Sequence, residues 1–206
     1  MNSFGQYNYW PGKPQERRKN DRDLKYEKMY GDYDVMEAEI EKEAIMLCNA
    51  KKLEKIVGFK GYFDFMNLEY QCPVYFQGGM YASAAHAYHA GKSEEETIRR
   101  RFQKMPMIKE MHSLASTLPE PEDWKVKRLG VMEIVNRDKF RRNKDLREKL
   151  QTTQDREIIN EISNENDRED SLFWGTIKQQ GQNQLGRIIE NVRRDIHIQK
   201  ELEKWV

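Results

Sequence analysis

Residues 73–92 read PVYFQGGMYASAAHAYHAGK, and the fold is decided there. Two short strand-forming runs, Pro73-Val74-Tyr75-Phe76-Gln77 and Met80-Tyr81-Ala82, flank Gly78-Gly79. Two such residues between two such runs specify a tight hairpin, because hairpin turns need positive φ and glycine adopts it freely. Ser83 follows at once and reads as a helix N-cap. Ala84 to Ala90 is the helix, and Gly91 ends it. A strand pair running straight into a capped helix belongs to an α+β layout. That corner also gathers backbone N–H groups, a positive dipole end and aromatic faces, a combination suited to a phosphate or a developing anion.

Outward from this stretch the chain is mainly helical. Upstream, Phe59 to Phe65 is short and rich in strand formers, punctuated by Gly58 and Gly61. Before it, Asp34 is a cap for a helix to about Lys55, with Met36, Ile40, Ala44, Leu47 and Cys48 on one face. Residues 1–22 are polar and proline-containing and read as a flexible arm. Downstream, Ser93 and Glu96 form the pattern of a capping box opening a further helix. Met107 to Leu118 predicts another. Asp123 caps a long helix to about Arg142, with Val126, Leu129, Met132, Val135 and Phe140 along one side. Leu146 and Leu150 mark a short helix, and residues 151–182 read as irregular apart from the apolar island Leu172-Phe173-Trp174. The last helix starts near Asn183 and buries Leu185, Ile188, Ile189, Val192 and Ile196. The expected organisation is an arm (1–22), a helical extension (23–56) and one domain (57–206).

With 206 residues, one domain and an extension are a natural partition. No stretch approaches the ~20 apolar residues of a membrane span, and the N-terminus has no apolar leader core. Two cysteines, Cys48 and Cys72, exclude a disulfide framework and point to a cytoplasmic or nuclear setting. The net charge of +1 conceals an asymmetry: residues 97–150 hold 15 Lys/Arg against 8 Asp/Glu, and residues 154–170 hold 7 acids against 2 Arg. A basic stretch of that kind suits an anionic partner, although two oppositely charged solvated faces would produce the same counts.

No phosphate-binding glycine loop or nucleophile elbow is present. His86 and His89 share a helical turn but lack a third ligand at helical spacing, so no metal is expected. The motifs instead resemble those of the NADAR, or YbiA-like, family. The matching text is Gly58-Phe59, Gly61, Phe65, Tyr70, Cys72-Pro73-Val74, Tyr81, Ser83, His86-Ala87-Tyr88, Ala90 and Lys92. It continues at Trp124, Lys139-Phe140, Trp174-Gly175 and Asn183-Gln184-Leu185-Gly186. The resemblance spans about residues 57–195.

What it implies is a single α+β domain, mostly helical with small β-hairpins, that hydrolyses N-glycosidic bonds without a cofactor. Such cleavage passes through an oxocarbenium-like state, so a carboxylate beside the ribose is valuable. The family's glutamate falls on Ala85, where the resemblance implies a nearly inactive chain. An engineered Glu→Ala change and a natural pseudoenzyme both fit; the intact Ser83, His86, Tyr88 and Lys92 favour the former. Asp170 is the second carboxylate the resemblance suggests, with Ser171 at the matched position. Another family acid falls on Asn160, beside Glu161. Expected substrate contacts are Phe65, Asn67, Tyr81, Ser83, His86, Lys92, Trp124, Trp174, Gly175 and Asn183. The substrate implied is ADP-ribose linked to guanine in nucleic acid or a nucleotide. Phosphorylated ribosylamino-pyrimidines of riboflavin synthesis, or non-catalytic binding of a nucleotide-sugar, are the alternatives.

Overall fold

The structure, a computed structural model, describes residue 42, residues 55–162 and residues 168–205. The arm and the helix expected over 34–55 lie outside the described residues, apart from Lys42 in a helical conformation. All that follows concerns the compact unit Ala44–Val206.

The elements run β1 (Lys55–Val57), a 3-10 turn (Gly61–Met66), β2 (Val74–Phe76), β3 (Gly79–Tyr81), α1 (Ala84–Ala90), α2 (Glu96–Lys104) and α3 (Ile108–Thr117). They continue with α4 (Trp124–Arg142), α5 (Lys144–Thr152), β4 (Glu157–Ile159), α6 (Arg168–Trp174), α7 (Gln184–Leu202) and a closing 3-10 turn (Glu203–Trp205). The domain is mostly helical with small sheets, an α+β fold. None of the described helices is long and apolar enough to cross a membrane.

The hairpin forms as expected, one residue earlier in the chain. Phe76 pairs with Gly79, so the turn residues are Gln77 and Gly78, with φ of 43° and 83°. Both central residues at positive φ match the turn whose twist suits adjacent strands. Gly79 joins the strand because a side chain there would run into the Gln103 amide. Ser83 caps α1, its Oγ accepting from His86 N.

Four expectations are corrected. Phe59 to Phe65 forms a 3-10 turn, not a strand: Phe63 N bonds Lys60 O and Asn67 N bonds Asp64 O, leaving no ladder partner. The capping box at Ser93 does not close; Ser93 Oγ takes Glu95 N, and α2 begins at Glu96. The buried face of α4 is Trp124, Met132, Val135, Asn136, Lys139 and Phe140, while Val126 is 83% exposed. At 100° per residue Val126 stands about 240° around the helix from Met132, so it cannot share that face. Residues 151–182 are not irregular, because they contain β4 and α6.

Helix α4 is the central beam, packing against α1, α5, α7 and β2. Phe102, Met111, Val135, Phe140, Leu146, Leu150, Ile158 and Ile189 are fully buried around it. Each removes apolar surface worth roughly 1.5–3 kcal/mol. Strand β4 lies parallel to β1, Ile56 opposite Ile158, and both residues are buried. This pairing brings the chain before the 3-10 turn against the segment leading to Asn160.

Candidate active site

A cavity of about 810 Å3 opens where these segments meet. The 3-10 turn and the loop after it supply Asp64, Asn67, Leu68, Glu69, Tyr70 and Gln71. Ile108 comes from α3, Asn160 and Ile162 from the stretch after β4, and Leu185 from α7. Among the described residues the lining holds two carboxylates, three side-chain amides and a phenol, and no Lys or Arg.

Asn67 is locked in place. Its Nδ2 donates to Phe59 O at 2.8 Å and to Asp64 Oδ1, while its carbonyl accepts the Lys139 ammonium at 2.6 Å. Lys139 is completely buried, and burial pushes its ammonium down to about 8; the Cys72 sulfur and the Asp64 carboxylate oppose part of that shift. The next carbonyl, Leu68 O, accepts Ala85 N at 2.9 Å. Ala85 is buried one hydrogen bond behind the cavity and is not part of its lining.

The opposite wall is fastened by Asn183 in a left-handed conformation. Its Oδ1 accepts Asn160 N at 2.9 Å and its Nδ2 donates to Ile158 O at 2.8 Å. Asn160 Nδ2 reaches Trp174 O at 3.3 Å. Glu161 accepts Thr176 Oγ1 at 2.5 Å and Lys178 N at 3.1 Å, so its carboxylate organises the loop after α6. Gly175 has no room for a side chain, since a Cβ would stand 2.2 Å from Asn160 O.

The residues expected from the motif fall in five different settings. Asn67 lines the cavity, and Gly175 and Asn183 brace its wall. Phe65, Tyr81, Ser83 and His86 are buried behind it: Phe65 meets Phe140 edge-on, Tyr81 Oη accepts Gln103 Nε2 at 3.3 Å, and Ser83 Oγ lies 2.8 Å from His86 Nδ1. Lys92 and Trp124 line a separate groove of about 670 Å3, with the Lys92 ammonium 5.8 Å from the indole centroid. Trp174 belongs to a buried aromatic chain through Tyr88 to Trp124, and its ring is used in packing. Asp170 is paired with Arg128, whose guanidinium lies 3.9 Å over the Phe173 ring. Among the described residues no group of three or more His, Cys, Asp or Glu is arranged to hold a metal ion.

Of the expected residues, then, Asn67 alone lines the cavity, and Gly175 and Asn183 support its wall. The NADAR domain matches residues 49–197. The chain belongs to the NADAR family. Members of this family are generally hydrolases of the glycosidase type. A riboflavin biosynthesis protein of Vibrio vulnificus (strain YJ016) is 28% identical over 130 residues, 62% of this chain. The chain spans about a third of that relative, 34% of its length. The NMR structure of the E. coli protein YbiA superposes with a TM-score of 0.61 at 21% identity, covering 71% of this chain and 88% of YbiA. At that identity the likeness concerns the fold. The NADAR match begins at residue 49 and takes in β1, ahead of the expected domain start at residue 57.

Motif reasoning reached Asn67, Gly175 and Asn183 but not Asp64, Glu69, Gln71 or Ile162. Asp64 stands in the aromatic 3-10 turn and Glu69 in the loop after it, and neither has a spacing that sets it apart.

Proposed function

We propose that the cavity binds a ribose joined through nitrogen to a base, and that the chain is a weakened N-glycosidase whose preferred substrate is ADP-ribosylated guanine. The observation that carries this reading is a polar cavity whose lining, drawn from residues 64–71 with Asn160 and Leu185, falls within the NADAR match. The lining suits the sugar: carboxylates and amides take ribose hydroxyls, and Tyr70 offers an aromatic face. Ala85 supplies neither a proton nor a negative charge, so the rate falls far below that of a glutamate-bearing site.

The test compares the chain with its Ala85→Glu variant on ADP-ribosylated guanine in a short oligonucleotide, following free ADP-ribose. Release at least a hundredfold faster by Ala85→Glu is expected. Tight binding by both proteins without release from either would sink the glycosidase reading in favour of nucleotide-sugar recognition. The likeness to a riboflavin biosynthesis protein favours a second reading, hydrolysis of phosphorylated ribosylamino-pyrimidines. That reading expects release from those compounds and none from the oligonucleotide.

A further inference from the structure

Among the described residues the cavity lining has two carboxylates, Asp64 and Glu69, and neither is one of the matched motif residues. Glu69 is engaged, its Oε1 2.6 Å from His112 Nε2. Asp64 is held but not consumed. Its carbonyl accepts Asn67 N at 2.8 Å and its Oδ1 accepts Asn67 Nδ2. The turn therefore closes on itself, and both side chains line the same wall. Oδ2 accepts no hydrogen bond from any described residue, and Asp64 forms no ion pair with one.

The position of this turn matters. Leu68, four residues after Asp64, is the residue whose carbonyl receives Ala85 N. Asp64 and Ala85 thus flank one short piece of backbone. The Lys139 bond to Asn67 O fixes that piece from beneath. The other polar side chains of the lining, Asn67, Gln71, Tyr70 and Asn160, cannot match a carboxylate's charge at neutral pH.

We infer that Asp64 is the catalytic carboxylate of this chain, serving N-glycoside hydrolysis in place of the residue missing at Ala85. The inference rests on the N-glycosidase reading above. As the C1′–N bond breaks, its electron pair leaves with the base nitrogen and positive charge spreads over C1′ and the ring oxygen. The Asp64 carboxylate stabilises that charge. A water oxygen then bonds C1′, and Asp64 takes the proton it sheds. The base nitrogen picks up one proton, so a single water is consumed and no oxidant or reductant is required.

The experiment measures single-turnover release of ADP-ribose from the ADP-ribosylated guanine oligonucleotide, with the phosphorylated ribosylamino-pyrimidine run in parallel. The proteins are the unmodified chain, Asp64→Asn, Asp64→Glu, Ala85→Glu and the Ala85→Glu/Asp64→Asn double variant. Asparagine retains the acceptor for Asn67 and removes only the charge. The expected result is slow but measurable release by the unmodified chain, at least thirtyfold slower release by Asp64→Asn with substrate binding unchanged, and recovery to within tenfold in Asp64→Glu. Release by the double variant would show that the Asp64→Asn fold is intact. Equal rates for the unmodified chain and Asp64→Asn overturn the role of Asp64. So does absence of release by the unmodified chain while Ala85→Glu is active, and in both cases the glycosidase reading stands. Absence of release from both substrates by every protein, Ala85→Glu included, overturns both.

Discussion

Lys139 shows how much one residue can be constrained. Its ammonium has no exposed surface, sits 2.6 Å from the Asn67 carbonyl and lies beside the rings of Tyr70 and Phe140. Burial lowers its pKa from 10.5 to about 8, so between those values the unfolded chain holds the extra proton. Stability therefore rises as pH climbs from about 8 to 10.5, and the cost of burying the charge, on the order of a few kcal/mol, is felt below 8. Urea midpoints at about pH 7 and about pH 9.5 should show this rise in the unmodified chain and not in Lys139→Met. Equal pH slopes would mean the amine is not buried as described. The hydrogen bond itself survives deprotonation, since a neutral amine still donates.

At the scale of elements, α1 is held by its ends. Ser83 caps it and also contacts His86 Nδ1, both without exposure to solvent. Ser83→Ala should cost about 2 kcal/mol by combining a lost cap with an imidazole left without its partner. A loss below about 0.5 kcal/mol in thermal unfolding would contradict that pairing. On the same helix, burial, helped by the Lys92 ammonium and the His112 and His86 imidazoles, pushes His89 down to about 3. Between 6.5 and about 3 the unfolded state binds the extra proton, so stability falls as pH falls through that window. His89→Leu should flatten the acid limb of the stability profile. Where α7 meets β4, Gly186 leaves room for the strand: a Cβ would stand 2.2 Å from Ile158 O. Gly186→Ala should lose about 3 kcal/mol and loosen the wall carrying Asn160.

The hairpin, α1 and α7 were legible because their signals are local: paired glycines, a cap, an apolar stripe. Strands β1 and β4 were not. Lys55-Ile56-Val57 and Glu157-Ile158-Ile159 are three residues each, and only their mutual pairing makes them strands. The cavity shows the same division. Gly175 and Asn183 sit in motifs with fixed neighbours, and Asn67 stands one position before the place of the family's asparagine. Asp64 stays exposed in the fold, and only its bond to Asn67 and its place on the cavity lining distinguish it from other acids. The aromatic residues at 124 and 174 drew attention by size, which in this fold is used for packing.

For the molecule as a whole, the basic stretch becomes a question of partner. Arg100, Arg101, Lys104 and Lys109 are exposed on α2 and α3, the latter also supplying Ile108 to the cavity. If the substrate is carried on nucleic acid, these side chains displace counterions. Affinity for the modified oligonucleotide should then fall at least tenfold between about 50 and about 200 mM salt, and affinity for free ADP-ribose much less. Parallel titrations by fluorescence anisotropy would decide; similar slopes for both ligands would favour the small-molecule substrate.

The parallel strand pair also sets an order of events during synthesis. Its halves stand about a hundred positions apart, so a ribosome finishes one long before the other exists. Until Ile158 emerges, Ile56 has no strand to cover it, and the turn bearing Asp64 and Asn67 faces no opposite wall. The cavity is therefore among the last features a growing chain can complete, and a polypeptide halted before β4 would carry the motif around Ala85 without it.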